Sequence, residues 1–167
     1  MRDERLYYSP LTAHRSSLSS KNSPLSSHRS PLTAHLSSLK QKQVAQINSF
    51  RDLIVYQKAY KLAMEIFEIS KTFPKEEIYS LTDQIRRSSR SVTTSIAEGW
   101  AKRIYPKHFV SKLTDSLSEE FETEVWLDYS RDCKYIDSDQ HEHFRVSYDE
   151  VRKMLISMMN APEKFCK

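Results

Sequence analysis

A single glycine, Gly99, serves the whole chain of 167 residues, and that scarcity constrains the fold more than any other feature. Hairpins and bulges use glycine wherever φ is positive, so a β-rich fold is excluded. Phosphate-cradling glycine loops need several glycines and are excluded as well. An all-helical chain needs few, mainly just past helix C-termini. The length suffices for one domain with a real core. No apolar run is long enough to cross a bilayer and no apolar leader opens the chain, so a cytoplasmic location is expected. Cys133 and Cys166 form no metal-type cluster and read as free thiols of a reducing compartment.

Charge divides the chain in two. Residues 1–48 hold seven Lys/Arg and two Asp/Glu, whereas 49–167 hold nineteen and twenty. The net +4 therefore belongs to the first segment and is not evidence for a nucleic-acid-binding domain. That segment repeats every seven residues over 9–39, with leucine at 11, 18, 25, 32 and 39. Heptad spacing invites a coiled coil. Pro10, Pro24 and Pro31 argue against it, since each costs roughly 3 kcal/mol inside a helix. Serine fills most other positions, and no second apolar position completes a seam. A disordered tail over 1–48 is expected, with residues 1–45 dispensable. An in-frame tandem DNA repeat, a solvated linker and a binding arm are its three readings.

From residue 49 the pattern becomes helical. Leu53, Tyr56, Tyr60, Ala63 and Phe67 alternate spacings of three and four, which predicts one buried stripe. Phe73-Pro74 ends this helix. A second follows Lys75-Glu76-Glu77, with a stripe of Ile78, Leu81, Ile85, Ser88, Val92, Ser95 and Gly99. Its small residues let a neighbour come close. Pro106 opens a third helix, whose predicted stripe is Phe109, Leu113, Leu117, Phe121 and Val125. After a loop at 134–139, Asp137 or Asp139 caps a fourth, with Phe144, Tyr148, Val151, Leu155 and Met158 facing inward. The expected fold is all-α: an antiparallel up-down-up-down four-helix bundle over 49–167. Gly99 falls where the second helix should end. It reads first as a left-handed helix cap, with close packing at a helix crossing as the rival reading.

Several motifs resemble one family. The chain has a Phe-x-x-Leu-x-Val-aromatic-Gln-Lys-Ala opening at 50–59 and a Phe-Pro-x-Glu turn at 73–76. Leu-Thr-x-Gln-Ile-Arg-Arg follows at 81–87 and Ile-Ala-Glu-Gly at 96–99. In order and interval, over about 49–160, these resemble the 23S ribosomal RNA intervening-sequence proteins. The resemblance implies a four-helix bundle, a ring-like homopentamer and no established enzymatic activity. It also points to a related group, the accessory variability determinant proteins of diversity-generating retroelements. That group binds nucleic acid and a reverse transcriptase through a basic surface.

Arg86, Arg87 and Arg90 cluster on one helix, with Lys102, Arg103 and Lys107 beyond it, against one acid, Glu98, over 84–107. Guanidinium forks at this spacing suit phosphate oxygens of RNA or DNA. The third helix carries Asp115, Glu119, Glu120, Glu122 and Glu124, so pairing of these with the arginines, within a subunit or across a seam, is the rival reading. A solvated face is the third. Trp100, Trp126 and Tyr129 lie off the predicted stripes and are candidate anchors for self-association. Asp137, Asp139, His141 and His143 lack the Glu-x-x-His pairs of dimetal bundles, so no metal and no cofactor are expected. No nucleophile–base motif or carboxylate pair is recognisable, and no catalysis is expected. The chain reads as a non-enzymatic, self-associating accessory or scaffold with RNA or DNA as candidate partners. The alternative is a purely protein–protein module.

Overall fold

Four helices carry the chain from Ile54 to Asn160 in a computed structural model that describes residues 47–166. The repeat and the expected tail lie outside the described residues, apart from positions 47 and 48. The helices are α1 (Ile54–Ile69), α2 (Asp83–Ala101), α3 (Pro106–Asp132) and α4 (Ser138–Asn160). Each packs on its neighbours in the chain, and α1 closes against α4. Short links at 102–105 and 133–137 force consecutive helices antiparallel. The expected up-down-up-down bundle is the observed one, and among the described residues there is no strand.

Local chemistry sets the helix boundaries. Before α1, the Asp52 carboxylate accepts the backbone N–H groups of Asn48 and Ser49 at 3.0 and 2.9 Å. Gln57 donates to the Arg51 carbonyl at 2.8 Å, fixing the entry to the helix. Pro106 is the first-turn residue of α3. Asp137 caps α4 in a reciprocal box: its carboxylate accepts from the Gln140 N–H at 2.7 Å, and the Gln140 side chain accepts from its N–H at 3.0 Å. Between α1 and α2 the chain makes tight turns at Ser70–Thr72 and Lys75–Glu77, then a π-helical turn at Ile78–Thr82.

The buried faces differ from the predicted ones in two helices. In α1, Val55, Ala59, Leu62, Ala63 and Ile66 are buried, while Tyr60 is exposed and Tyr56 and Phe67 are half-buried. The aromatics share the three-four spacing but flank the core. The small alanines face inward, where neighbouring helices approach. In α3 the predicted every-four stripe drifts by about 40° per step, because four residues overshoot a 3.6-residue turn. The helix buries Phe109, Leu113, Ser116, Glu120, Thr123, Leu127 and Ser130 instead. That set alternates four and three and stays on one side. Leu117 is left half-buried, and Phe121 and Val125 face solvent. Most of the stripe predicted for the second helix is buried, but Ile78, in the π-helical turn, is exposed and Ser95 half-buried. The five predicted positions of α4 are all buried.

Gly99 is not a helix cap. It lies inside α2, which continues to Ala101, and its φ is not positive. It faces the crossing of α2 and α3, where a Cβ would stand 3.4 Å from Lys112 Cβ and 3.6 Å from Leu113 Cδ2, ordinary contact distances. The seam is otherwise polar and small: Thr123 donates to the Ser88 hydroxyl at 2.9 Å, and Ser116 donates to the Val92 carbonyl at 2.9 Å.

Candidate nucleic-acid interface

The predicted basic cluster divides along α2. Arg86 and Arg90 lie beside α1, where their guanidinium groups stand 5.1 and 5.5 Å from the centre of the Phe67 ring. Lys71 reaches the same ring at 4.7 Å but is paired with Glu68 at 2.7 Å, so three cations surround one aromatic ring and two of them are arginines outside any ion pair among the described residues. Ser70 fixes Arg86: its hydroxyl accepts from Nε at 2.7 Å and donates to the Phe67 carbonyl at 3.1 Å. Among the described residues, no carboxylate lies within ion-pair distance of Arg86 or Arg90. Cations held by ring faces and hydroxyls keep their charge available to an outside anion.

The other three cations do not join them. Lys102 and Arg103 follow the far end of α2, about 18 Å further along the axis than Arg90. Arg103 donates to the Trp100 carbonyl at 2.8 Å and lies over the Trp100 ring at 4.2 Å. Lys102 and Lys107 are exposed at that end. Arg87 points elsewhere, 3.9 Å from Asp83, on the side nearer Glu119. Burial raises the Glu119 pKa, Glu122 adds to the rise and Arg87 opposes it.

Apart from Glu119, the acids of α3 find partners other than the arginines of α2. Glu120 is fully buried and accepts a forked pair from Arg152 of α4, at 3.1 and 2.7 Å. Glu124 shares that guanidinium at 2.5 Å. Lys112 bridges Glu98 and Asp115 at 2.8 and 3.0 Å, and its hydrogen bond holds Glu98 below the usual carboxylate range. Glu122 accepts from the Trp126 indole at 3.1 Å.

Of the three predicted anchors, Trp100 is buried in the core and offers no surface. It faces inward because α2 buries both sides of its stripe near the link to α3. Trp126 is half-buried and its ring lies 5.7 Å from that of Tyr129, which is exposed. With Phe121 and Val125 they form an outward apolar stripe on α3.

Sequence reasoning overlooked Phe67 as a platform, along with Lys71, Lys75 and Tyr79. Phe67 and Lys71 are one helical turn apart, a legible signal. The turns that bring Lys75 and Tyr79 to Arg86 have no such period.

A model of the 23S rRNA-intervening sequence proteins matches residues 51–157. Among solved structures, a Bacteroides thetaiotaomicron protein of unknown function from the S23 ribosomal protein family is similar. It shares 30% identity and a TM-score of 0.58, over 64% of this chain and 96% of that one. Comparison with curated proteins gave no match.

Proposed function

Because the chain belongs to the 23S rRNA-intervening sequence protein family, we propose that it is a non-enzymatic, self-associating accessory or scaffold protein of the cytoplasm. It holds RNA or DNA on the basic face beside Phe67. The observation that carries this reading is the placement of Arg86 and Arg90 on an aromatic ring, with no carboxylate partner among the described residues. Arginines consumed by the acidic helix would argue the other way, and Glu120 is held by Arg152 instead. Self-association is supported by the exposed Phe121, Val125 and Tyr129. The number five, and a reverse transcriptase as partner, rest on the family resemblance alone. A purely protein–protein module with no nucleic-acid role is the second reading, and the same apolar stripe favours it.

A salt titration of binding to mixed-sequence RNA and DNA separates the two. Phosphate contacts make affinity fall steeply with salt through counterion release. Arg86→Gln and Arg90→Gln should each flatten that dependence by about one unit of slope, without altering sequence preference. Arg90→Gln should leave the melting temperature unchanged. Absence of wild-type binding at low salt would falsify the nucleic-acid reading and leave the protein–protein one.

A further inference from the structure

Beside the Phe67 platform lies a cleft between the end of α1 and the π-helical turn, lined by Ser70, Lys71, Lys75, Tyr79, Thr82 and Arg86. The π-turn closes each hydrogen bond one residue later than an α-turn, and such turns recur at functional sites. Tyr79 stands on this one with 92% of its surface exposed. An isolated exposed tyrosine needs no explanation; this one shares its cleft with three cations. Arg86 is pinned through Nε to Ser70, and its terminal nitrogens have no partner among the described residues. Thr82 lies behind the cleft wall, with its hydroxyl shut off from solvent. The cleft therefore offers an aromatic face and free guanidinium donors together.

Charge alone does not make this a duplex-binding surface. Asp83 shares the lining, and Glu68 holds Lys71 at 2.7 Å, so the local positive excess is small. Binding there needs an uncharged contribution, which stacking of a base on Tyr79 supplies. A duplex has no free base face to offer, whereas a single strand does. We propose that the cleft takes single-stranded nucleic acid, with one base stacked on Tyr79 and the adjoining phosphate held by Lys75 and Arg86. This rests on the nucleic-acid reading of the basic face and specifies the class of ligand it takes.

The test uses the full chain and fluorescence anisotropy at low salt, with a mixed-sequence RNA strand and the same sequence paired in a hairpin duplex. The single strand should bind more tightly. Tyr79→Ala should weaken single-strand binding about tenfold while leaving duplex binding and the salt slope unchanged. Tyr79→Phe, which keeps the ring, should retain wild-type affinity. Exposure of the side chain means that neither variant should move the melting temperature. Equal or tighter binding of the duplex, or an indifferent Tyr79→Ala, overturns the single-strand assignment and leaves the basic-face reading standing. No binding of either probe by the wild type overturns both.

Discussion

Gly99 faces α3 at the helix crossing, yet the space beside it has room for a methyl group. An added Cβ would meet its nearest neighbour at 3.4 Å, an ordinary contact. The residue that does adopt a left-handed backbone is Lys134, with φ of 63°. It ends α3 in a Schellman motif: the Tyr135 N–H donates to the Ser130 carbonyl, and the Lys134 N–H to the Arg131 carbonyl, both at 2.8 Å. The one glycine is thus inside a helix, and the one left-handed position among the described residues holds a lysine. Two substitutions should each stabilise the bundle. Gly99→Ala gains helix propensity, up to about 1 kcal/mol. Lys134→Gly removes left-handed strain of about 1 kcal/mol. Chemical denaturation reads both; a loss of stability in Gly99→Ala would mean that the crossing tolerates no side chain.

Within α3, the inward stripe places a carboxylate at a core position. Burial raises the Glu120 pKa from its ordinary 4.5, and the hydrogen bond from Arg152 opposes the rise. The folded-state value lies above the unfolded one, so protonation of Glu120 favours the bundle. That contribution is complete below pH 4.5 and is lost as pH rises through the folded value. Glu120→Gln should therefore flatten the pH dependence of stability above 4.5 and cost little, because Arg152 keeps Glu124 at 2.5 Å. Arg152→Ala should destabilise by about 3–5 kcal/mol at neutral pH, since it leaves a buried charge without its partner. Part of that loss should return on acidification, when Glu120 takes a proton. Equal costs for the two variants at neutral pH would show that the pair acts through packing rather than charge.

At the scale of the whole molecule, the drift of the apolar pattern around α3 has a consequence outside the bundle. Continuing at every fourth residue, Phe121, Val125 and Tyr129 have drifted off the core face and stand 47%, 50% and 54% exposed. Trp126 is partly sunk between this stripe and the core. If the stripe is the self-association surface, Val125→Asp should reduce the mass seen by light scattering at micromolar concentration, with helicity unchanged. Wild-type protein that already scatters as a monomer would remove the self-association proposal.

Helix number, their approximate limits and the all-α class were legible in the sequence, because periodicity, prolines and capping residues act over a few positions. The faces of α2 and α4 were legible for the same reason: their apolar residues keep close to the helical repeat. In α3 the apolar residues follow a spacing of four, and a helix cannot hold that spacing on one side. The core instead accepted serines, threonine and a glutamate, and only a partner on α4, Arg152, makes Glu120 tolerable there. The motifs that carry the family resemblance proved largely structural: Leu53, Val55, Ala59, Leu81, Ile85 and Ile96 are all buried, and Gly99 faces a crossing. The candidate site was legible only in part. Arg86 and Arg90 are a turn apart in sequence and stay together, whereas Lys102, Arg103 and Lys107 lie too far along the axis to join them. Phe67, Lys71, Lys75 and Tyr79 come to the arginines from another helix and its turns. That juxtaposition is set by how α1 packs on α2, which depends on contacts between residues distant in the chain and leaves no local pattern.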